Sequence, residues 1–295
     1  MKKIIVLIFT LLIVIKYSVI INAQCSDAGV CSVGGHSMEQ ESRSLFNISA
    51  SYKYGLGGKD VYLTTDEVVK YHSFQIGLQY NVLEKTSLQL SIPYNIQSGP
   101  LGDVSGIGDL LLSVTQNLYL NENSGFNLSI GAKLATGDDN KNNLHMAYQS
   151  GMGSNDLIFA LSYFYDKISF DAGYQLAGKR NNNLLKLKRG DDLLVRASYN
   201  LNFDNVTILP QILFIKRLEK SSIVNILSMA PTETYFDVDK SDQTQLNLLV
   251  LANYKLNNNF TLFTDLAVPF IKREVNVDGL TRAFSASVGV KFSIN

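Results

Sequence analysis

From Ser44 onward the sequence alternates apolar and polar side chains over segments of about ten residues. In the last segment one face holds Phe284, Ala286, Val288, Val290, Phe292 and Ile294, and the other holds Ser285, Ser287, Gly289, Lys291 and Ser293. Because successive side chains of a β-strand point to opposite faces, this period predicts strands with one apolar and one polar face. Such strands are predicted at 44–55, 68–80, 86–97, 107–120, 125–136, 153–165, 168–178, 190–202, 206–217, 242–255, 259–270 and 281–294.

The connections between these segments alternate in length. Short turns are predicted at 81–85, 121–124, 166–167, 203–205 and 256–258, and longer loops at 56–67, 98–106, 137–152, 179–189, 218–241 and 271–280. Short periplasmic turns and long extracellular loops are typical of outer-membrane barrels, whereas a soluble β-sandwich has no reason to keep this alternation. The sequence therefore predicts an all-β fold, a transmembrane antiparallel β-barrel of about twelve strands over residues 43–295.

Tyrosines lie near both ends of the predicted strands. Five are close to the short turns (Tyr80, Tyr119, Tyr165, Tyr199 and Tyr254), and three are close to the long loops (Tyr54, Tyr94 and Tyr174). Aromatic residues form two belts at the membrane interfaces of barrels, and the chain has no Trp to serve there. We interpret the tyrosines as these belts.

The N-terminus has the three parts of a secretory signal peptide. Lys2 and Lys3 precede the apolar run 4–15, and Ile21-Asn22-Ala23 offers a cleavage site. Lys16 and Asn22 interrupt the apolar stretch, which disfavours the alternative of a retained membrane anchor. Residues 1–23 are therefore predicted to be a cleaved signal peptide, and the mature protein to reside in the bacterial outer membrane.

Residues 24–42 form a separate N-terminal segment that contains both cysteines of the chain, Cys25 and Cys31. In an exported protein this pair predicts a small disulfide loop. The alternative of a metal site is weaker, because only His36 lies nearby and the spacing matches no common zinc pattern.

The charge balance gives no sign of a nucleic-acid partner. Signal-peptide removal takes three of the 26 basic residues and none of the 26 acidic ones, which leaves a net charge of −3. On the predicted polar faces the charged residues are Lys53, Asp109, Lys133, Asp171, Arg196, Asp265 and Lys291, which we take as candidates for lining the barrel lumen. Pairing among them would close a narrow lumen, and separated charges would select solutes. Both alternatives stay open at this point.

The sequence shows no constellation for catalysis. The chain has three histidines, His36, His72 and His145. His72 is followed by Ser73, but adjacent residues of a strand point to opposite faces and cannot form a catalytic pair. Acidic residues in the loops, such as Asp138 and Asp139, are read as solvated charge rather than as a metal site. We therefore expect no enzyme, no cofactor and no metal.

Three segments resemble a known family. Ser105-Gly-Ile-Gly-Asp-Leu-Leu-Leu-Ser113, Gly131-Ala-Lys-Leu-Ala-Thr-Gly-Asp-Asp139 and Gly151-Met-Gly-Ser-Asn-Asp156 are similar to motifs of the outer-membrane barrels of the MetA pathway of phenol degradation, within the fatty-acid-transporter-like superfamily. Ala135 stands where that family usually has proline.

The resemblance implies a passive transporter or channel for small hydrophobic or aromatic molecules. A non-conducting structural or surface-interaction barrel with binding loops is the alternative. By analogy with fatty-acid transporters, residues 24–42 would form a plug, and a periplasmic leader is the other reading. Expected partners are the bilayer, lipopolysaccharide and the outer-membrane assembly machinery, which recognises an aromatic-bearing last strand such as the one reaching Phe292. Loop 218–241 is predicted either to cover the mouth or to extend its neighbouring strands.

Overall fold

The computed structural model describes residues 44–59, 68–228, 231–275, 277–279 and 282–294. The predicted signal peptide (1–23) and the segment 24–42, with Cys25, Cys31 and His36, lie outside the described residues. None of the helices in the described part of the chain is long and apolar enough to cross a membrane.

The described residues form sixteen strands and two single-turn 3₁₀ helices, at Lys141–Asn143 and Met146–Tyr148. The strands are β1 (Phe46–Lys59), β2 (Val68–Leu83), β3 (Thr86–Gly99), β4 (Gly102–Ile107), β5 (Leu110–Leu120), β6 (Ser124–Leu134), β7 (Asp156–Tyr165), β8 (Ile168–Leu176), β9 (Asp192–Tyr199), β10 (Leu201–Phe203), β11 (Val206–Arg217), β12 (Ser222–Val224), β13 (Tyr235–Asp237), β14 (Thr244–Lys255), β15 (Phe260–Ile271) and β16 (Arg282–Ile294).

Twelve antiparallel strands close into a barrel, as predicted. Each strand pairs with its neighbours along the chain, and the ring closes because β1 pairs with both β2 and β16. The closing register joins Phe46 to Ile294 at one end and Leu56 to Phe284 near the other. Away from this seam, β11 pairs with both β9 and β14. The short strand β10 continues β9 beyond a break at Asn200 and also pairs with β11.

The turns at one end of the barrel are tight. Two residues, Asp166 and Lys167, connect β7 to β8, and Asp204 and Asn205 connect β10 to β11. Asp166 and Asp204 have φ angles of 49° and 40°, the left-handed region that Asp and Asn tolerate better than most residues. The predicted alternation of short turns and long loops is confirmed.

Two predicted loops contain strands of their own. Residues 98–106 continue the hairpin, because β3 runs on to Gly99 and β4 returns along it after a tight turn in which Gly102 has φ 128°. Among the described strands β4 pairs with β3 alone, so this hairpin leaves the barrel wall. Within 218–241, β12 and β13 pair with each other as a separate two-stranded sheet instead of extending the barrel strands.

The outer face of the barrel is apolar. In β7, Leu157, Phe159 and Leu161 are exposed, and the residues between them are buried. The five tyrosines near the short turns are all exposed on this outer surface. An exposed apolar band with tyrosines at its edge is the surface that a lipid environment requires of a closed sheet.

We predict that Leu161→Arg, in the middle of β7, destabilises the barrel by about 2–4 kcal/mol, because it places a charge at the depth of the lipid midplane. The measurement is urea unfolding in phospholipid vesicles, followed by tyrosine fluorescence and gel mobility. The same change at Leu83, which is exposed beside the β2–β3 turn, is the matched control and should cost about 0–1 kcal/mol. Equal losses at both positions would contradict the assignment of the outer face.

Candidate functional site

The inner surface of the barrel is divided into two unlike walls. One wall, formed by the inner faces of β5–β9 and β11, is tightly packed. Its centre is an apolar cluster whose members are almost fully buried: Leu111, Ile158, Ala160, Leu194, Leu213 and Ile215. We call this the packed wall. Because its side chains fill the space in front of them, the packed wall offers no room for a solute.

The other wall, formed by the inner faces of β14–β16 and β1–β3, stays partly exposed. Its half-buried inward positions include Leu249, Leu251, Phe263, Asp265, Gly289, Lys291, Ser49, Ser51, Lys53, Gln75, Gly77, Gln79, Gln89 and Ser91. We call this the accessible wall. Many of these side chains are small, and each of them keeps some exposure to solvent.

The charged candidates on the packed wall are neutralised by close partners. Lys133 on β6 lies 2.8 Å from the Asp156 carboxylate on β7, which also pairs with Arg189. Lower in the barrel, Arg196 Nε donates to Asp171 Oδ2 at 2.9 Å, because the two residues face each other across β8 and β9. All five side chains are buried.

The candidates on the accessible wall are arranged differently. The register places Lys53, Ser287 and Asp265 opposite one another on β1, β16 and β15. The Ser287 hydroxyl donates to the Asp265 carboxylate. Lys53 has no hydrogen-bond or ion-pair partner among the described residues. Lys291 lies further along the inner face of β16, toward the turn end of the barrel.

Asp109 has a structural partner set at the top of the barrel. It lies in the break between β4 and β5, where its carboxylate accepts the backbone N–H groups of Met152 at 2.7 Å and of Gly137 at 3.2 Å. Gly137 and Gly151 touch there, since a Cβ on Gly137 would lie 2.7 Å from the Cα of Gly151. The three motif segments of the sequence thus meet at one place and fix loop 137–152 against the barrel. The assignment of all seven charged residues as lumen-lining stays a prediction.

A second network of buried charges lies under the long loops. Arg217, at the end of β11, donates to Asp192 at 3.0 Å and to Asp278 at 2.8 Å. Arg273 lies at longer ion-pair distances from the same carboxylates, 3.5 Å and 3.9 Å. Charges this deeply buried are stable only when paired. The network therefore ties the loop between β15 and β16 to the barrel wall.

Above this network the long loops pack on one another. An apolar cluster combines one or more residues from each of four loops: Met146, Met152, Leu187, Ile223 and Val277. We call this cluster and its loops the lid. Two predictions were made for loop 218–241, a cover over the mouth and an extension of the neighbouring strands. The structure is closer to the cover, because Ile223 of this loop is buried in the lid.

The pKa values of the two loop residues in the Arg217 network, Asp278 and Arg273, are shifted by burial and by neighbouring charges. Burial by itself raises the pKa of Asp278. The nearby guanidinium groups of Arg217, Arg273 and Arg189 lower this pKa by a larger amount, so it lies well below its ordinary value. Burial and the proximity of Arg217 lower the pKa of Arg273. Asp278 is therefore ionised throughout the neutral range.

Sequence reasoning missed several members of both networks of buried charges. Asp156 and Arg217 continue the inward phase of β7 and β11, so following the alternation to the strand ends would have found them. Arg273 and Asp278 lie in a loop, where no periodicity marks a buried residue. Their roles come from tertiary packing alone.

The histidines are placed apart from these networks. His72 Nδ1 lies 2.7 Å from the Tyr52 hydroxyl, and both residues are on the outer face of the barrel. The neighbouring Ser73 is buried on the inner face. His145 precedes the second 3₁₀ helix, in the lid loop. Among the described residues, no three His, Cys, Asp or Glu side chains come together as a metal site.

The sequence profile of one family, described as the MetA-pathway of phenol degradation, matches residues 57–207 of the 295, just over half of the chain. The chain belongs to this family. The resemblance of its three motif segments is thereby confirmed. No curated protein sequence matches the chain significantly.

Solved structures resemble this family member to different degrees, and the first of those below shares its fold. An outer-membrane channel from Pseudomonas putida F1 superposes with a TM-score of 0.62 at 14% identity, over 86% of this chain and 98% of the channel. The translocator domain of the autotransporter NalP from Neisseria meningitidis gives 0.49 at 9% identity, over 88% and 92% of the two chains. The NanC porin gives 0.48 at 9% identity, over 84% of this chain and 100% of the porin. With its closed, apolar-faced barrel, the family member is a bacterial outer-membrane protein.

We predict that Arg217→Met loosens the lid and destabilises the barrel by about 3 kcal/mol, because it leaves buried carboxylates without their closest cation. Limited proteolysis of the loops in intact vesicles and urea unfolding measure the two effects. Lys220→Met breaks an ion pair to Asp239 that is exposed to solvent, so it is the matched control and should change neither measurement. An unchanged proteolysis pattern in Arg217→Met would show that this arginine does not hold the lid.

The lid should also respond to acid in a defined range. The folded pKa of Asp278 is lower than its unfolded value of about 3.9, so its contribution to stability is present at neutral pH and is lost as the pH falls below about 4. Hydrogen–deuterium exchange around Asp278 should therefore be constant between about pH 7 and 5, after correction for intrinsic rates, and rise near about pH 3. Loosening between pH 7 and 5 would point to another titrating group.

Proposed function

We propose that this protein is a passive channel for small hydrophobic or aromatic molecules across the outer membrane. The observation that carries the proposal is the accessible wall, an inner surface of a closed barrel that stays partly open to solvent. A barrel with only a structural task has no need for half-buried serines, glycines and glutamines on one side when the other side is packed. Membership of a family linked to phenol degradation supports the choice of solute class.

The chemistry of the accessible wall supports a mixed rather than a purely aqueous pathway. Leu249, Leu251 and Phe263 are half-buried on the inner faces of β14 and β15, beside Asp265 and Lys53. Apolar side chains next to hydrogen-bonding groups suit a solute with a hydrophobic body and one polar substituent. Asp109 would hold loop 137–152, and the other six charged lumen candidates would act here as two groups. Those on the packed wall hold the barrel together, and those on the accessible wall meet the solute.

The alternative is a barrel that conducts nothing and binds other surface components through its loops. The observation in its favour is the lid, which covers part of the mouth, together with Ile226 and Leu227 at the tip of the β12–β13 hairpin. These two side chains are 74% and 86% exposed. On the channel hypothesis the lid instead controls access, and the solute passes when the lid moves.

The remaining parts of the hypothesis concern export and assembly. We infer that residues 1–23 direct secretion, that Cys25 and Cys31 form a disulfide in the periplasm, and that residues 24–42 form a leader or plug. The aromatic-bearing strand β16 would be the signal for the assembly machinery, and the loops would contact lipopolysaccharide. No step of this scheme uses a catalytic group or a cofactor.

Purified protein in a planar bilayer should show discrete current steps, and vesicles containing it should take up phenol or benzyl alcohol faster than empty vesicles. Arg217→Met should raise the open fraction, since it frees the lid. Lys220→Met is again the matched control and should behave like the original protein. Current steps without solute uptake would support a channel of a different solute class, and the absence of both in Arg217→Met as well would leave the surface-binding barrel as the explanation.

A further inference from the structure

We propose that the accessible wall contains a binding site for a small aromatic anion, in which Lys53 takes the anionic group and Phe263 and Leu251 take the ring. The proposal deepens the proposed function, since it rests on solutes entering the lumen, and it names their class more closely. The site lies on four adjacent strands, β14, β15, β16 and β1.

The strand register places the two charged residues of this site, Asp265 and Lys53, at the same height in the barrel. Leu251 pairs with Asp265, Asp265 with Ser287, and Ser287 with Lys53. Neighbouring strands lie about 4.8 Å apart, so the backbones at Asp265 and Lys53 are separated by about 10 Å. That separation leaves room for a single ring between the two charges.

The aromatic part of the site depends on a glycine. Phe263 lies on the inner face one step from Asp265, directly opposite Gly289 on β16. A Cβ on Gly289 would overlap the Cζ atom of Phe263 and would approach the Cβ of Ser51 on β1 to 2.7 Å. The Phe263 ring therefore lies across β16 toward Ser51. Glycine at this position gives the lumen a flat aromatic surface beside Lys53.

The charges of the lumen favour an anion. On the packed wall, Lys133 pairs with Asp156 and Arg196 with Asp171. On the accessible wall, Asp265 accepts the Ser287 hydroxyl, whereas the half-buried Lys53 has no partner among the described residues. An ammonium group held in a partly dry lumen is stabilised most by a carboxylate or a phenolate. The Ser51 hydroxyl, which also makes no hydrogen bond among the described residues, is a second donor two residues away on the same face.

The size and shape of the surroundings restrict the anion further. Phe263 offers a ring face, and Leu251 closes the side next to Asp265. Aromatic rings gain about 0.5–1.5 kcal/mol from stacking or edge contacts beyond the burial of area, which an aliphatic body does not gain to the same extent. An aromatic carboxylate such as benzoate combines the two features that the site recognises.

Isothermal titration of the purified barrel with benzoate, benzyl alcohol and benzylamine tests the proposal. Benzoate should bind more tightly than either analogue. Lys53→Met should weaken benzoate binding by at least about tenfold, the loss of one charge-assisted hydrogen bond, and leave benzyl alcohol nearly unchanged. The matched control is Lys85→Met, in the exposed turn between β2 and β3, which should bind benzoate like the original protein.

Gly289→Ala is the second variant, because it displaces the Phe263 ring without touching a charge. It should weaken benzoate and benzyl alcohol together. Heat-modifiable gel mobility establishes that each variant is folded, and Lys53→Arg, which keeps the charge, should retain most of the affinity. Tighter binding of benzylamine than of benzoate, or equal benzoate affinity in Lys53→Met and the original protein, would overturn the proposal.

The same proteins in a planar bilayer separate this proposal from the channel hypothesis. Benzoate binding that depends on Lys53 in a barrel without conductance would support the site and contradict the channel. Conductance that benzoate does not alter, in a barrel that does not bind benzoate, would support the channel and contradict the site. With both hypotheses correct, benzoate should reduce the current through the original protein and leave the current through Lys53→Met unaffected.

Discussion

The closing contact between β1 and β16 is the constraint on which the rest of the structure depends. Inside a membrane each backbone N–H and C=O group needs a partner within the protein, and an open sheet would leave two edges without one. The first and last strands meet this need by pairing in register from Phe46–Ile294 to Leu56–Phe284. Next to this seam, Phe292 on β16 packs on Phe260 of β15, with ring centroids 4.7 Å apart, on the lipid side of the barrel. Once the ring is closed, strand direction, turn placement and the separation of inner from outer faces all follow.

A closed barrel still has an open end, which the long loops of the lid cover. The long loops must cover one end of the barrel without leaving polar groups buried alone. Arg217 reaches two carboxylates there, one from the barrel strand β9 (Asp192) and one from the loop (Asp278). Because a buried arginine is stable only when its charge is paired, these ion pairs help to fix the position of the loop. The apolar cluster of the lid packs on the same loop through Val277.

The sequence predicted the parts of this fold that depend on periodicity. The twelve strands, their antiparallel order and the alternating turn lengths follow from a period of two and from the need to close the sheet, and the structure confirms them. The same reasoning failed where the backbone leaves the barrel. Residues 98–106 were predicted as a loop, but the hairpin continues because Gly99 and Gly102 permit a tight turn above the membrane. For the site, alternation placed Lys133, Asp171 and Arg196 on the inner face, but it held no information on Arg273 or Asp278, whose partners come from distant parts of the chain.

The two alternatives for the lumen that the sequence left open correspond to two different arrangements of charge on the two walls of the barrel. Charges that pair across neighbouring strands, such as Asp171 and Arg196, cancel one another and permit the dense packing beside them. On the accessible wall a serine stands between Asp265 and Lys53, so the two charges are held apart by one strand. Had β16 carried an acidic residue in place of Ser287, Lys53 would have a direct neighbour to pair with, as Arg196 has in Asp171. On the channel hypothesis, selectivity would therefore depend on the few inward positions at which pairing is prevented, rather than on the total charge of the lumen.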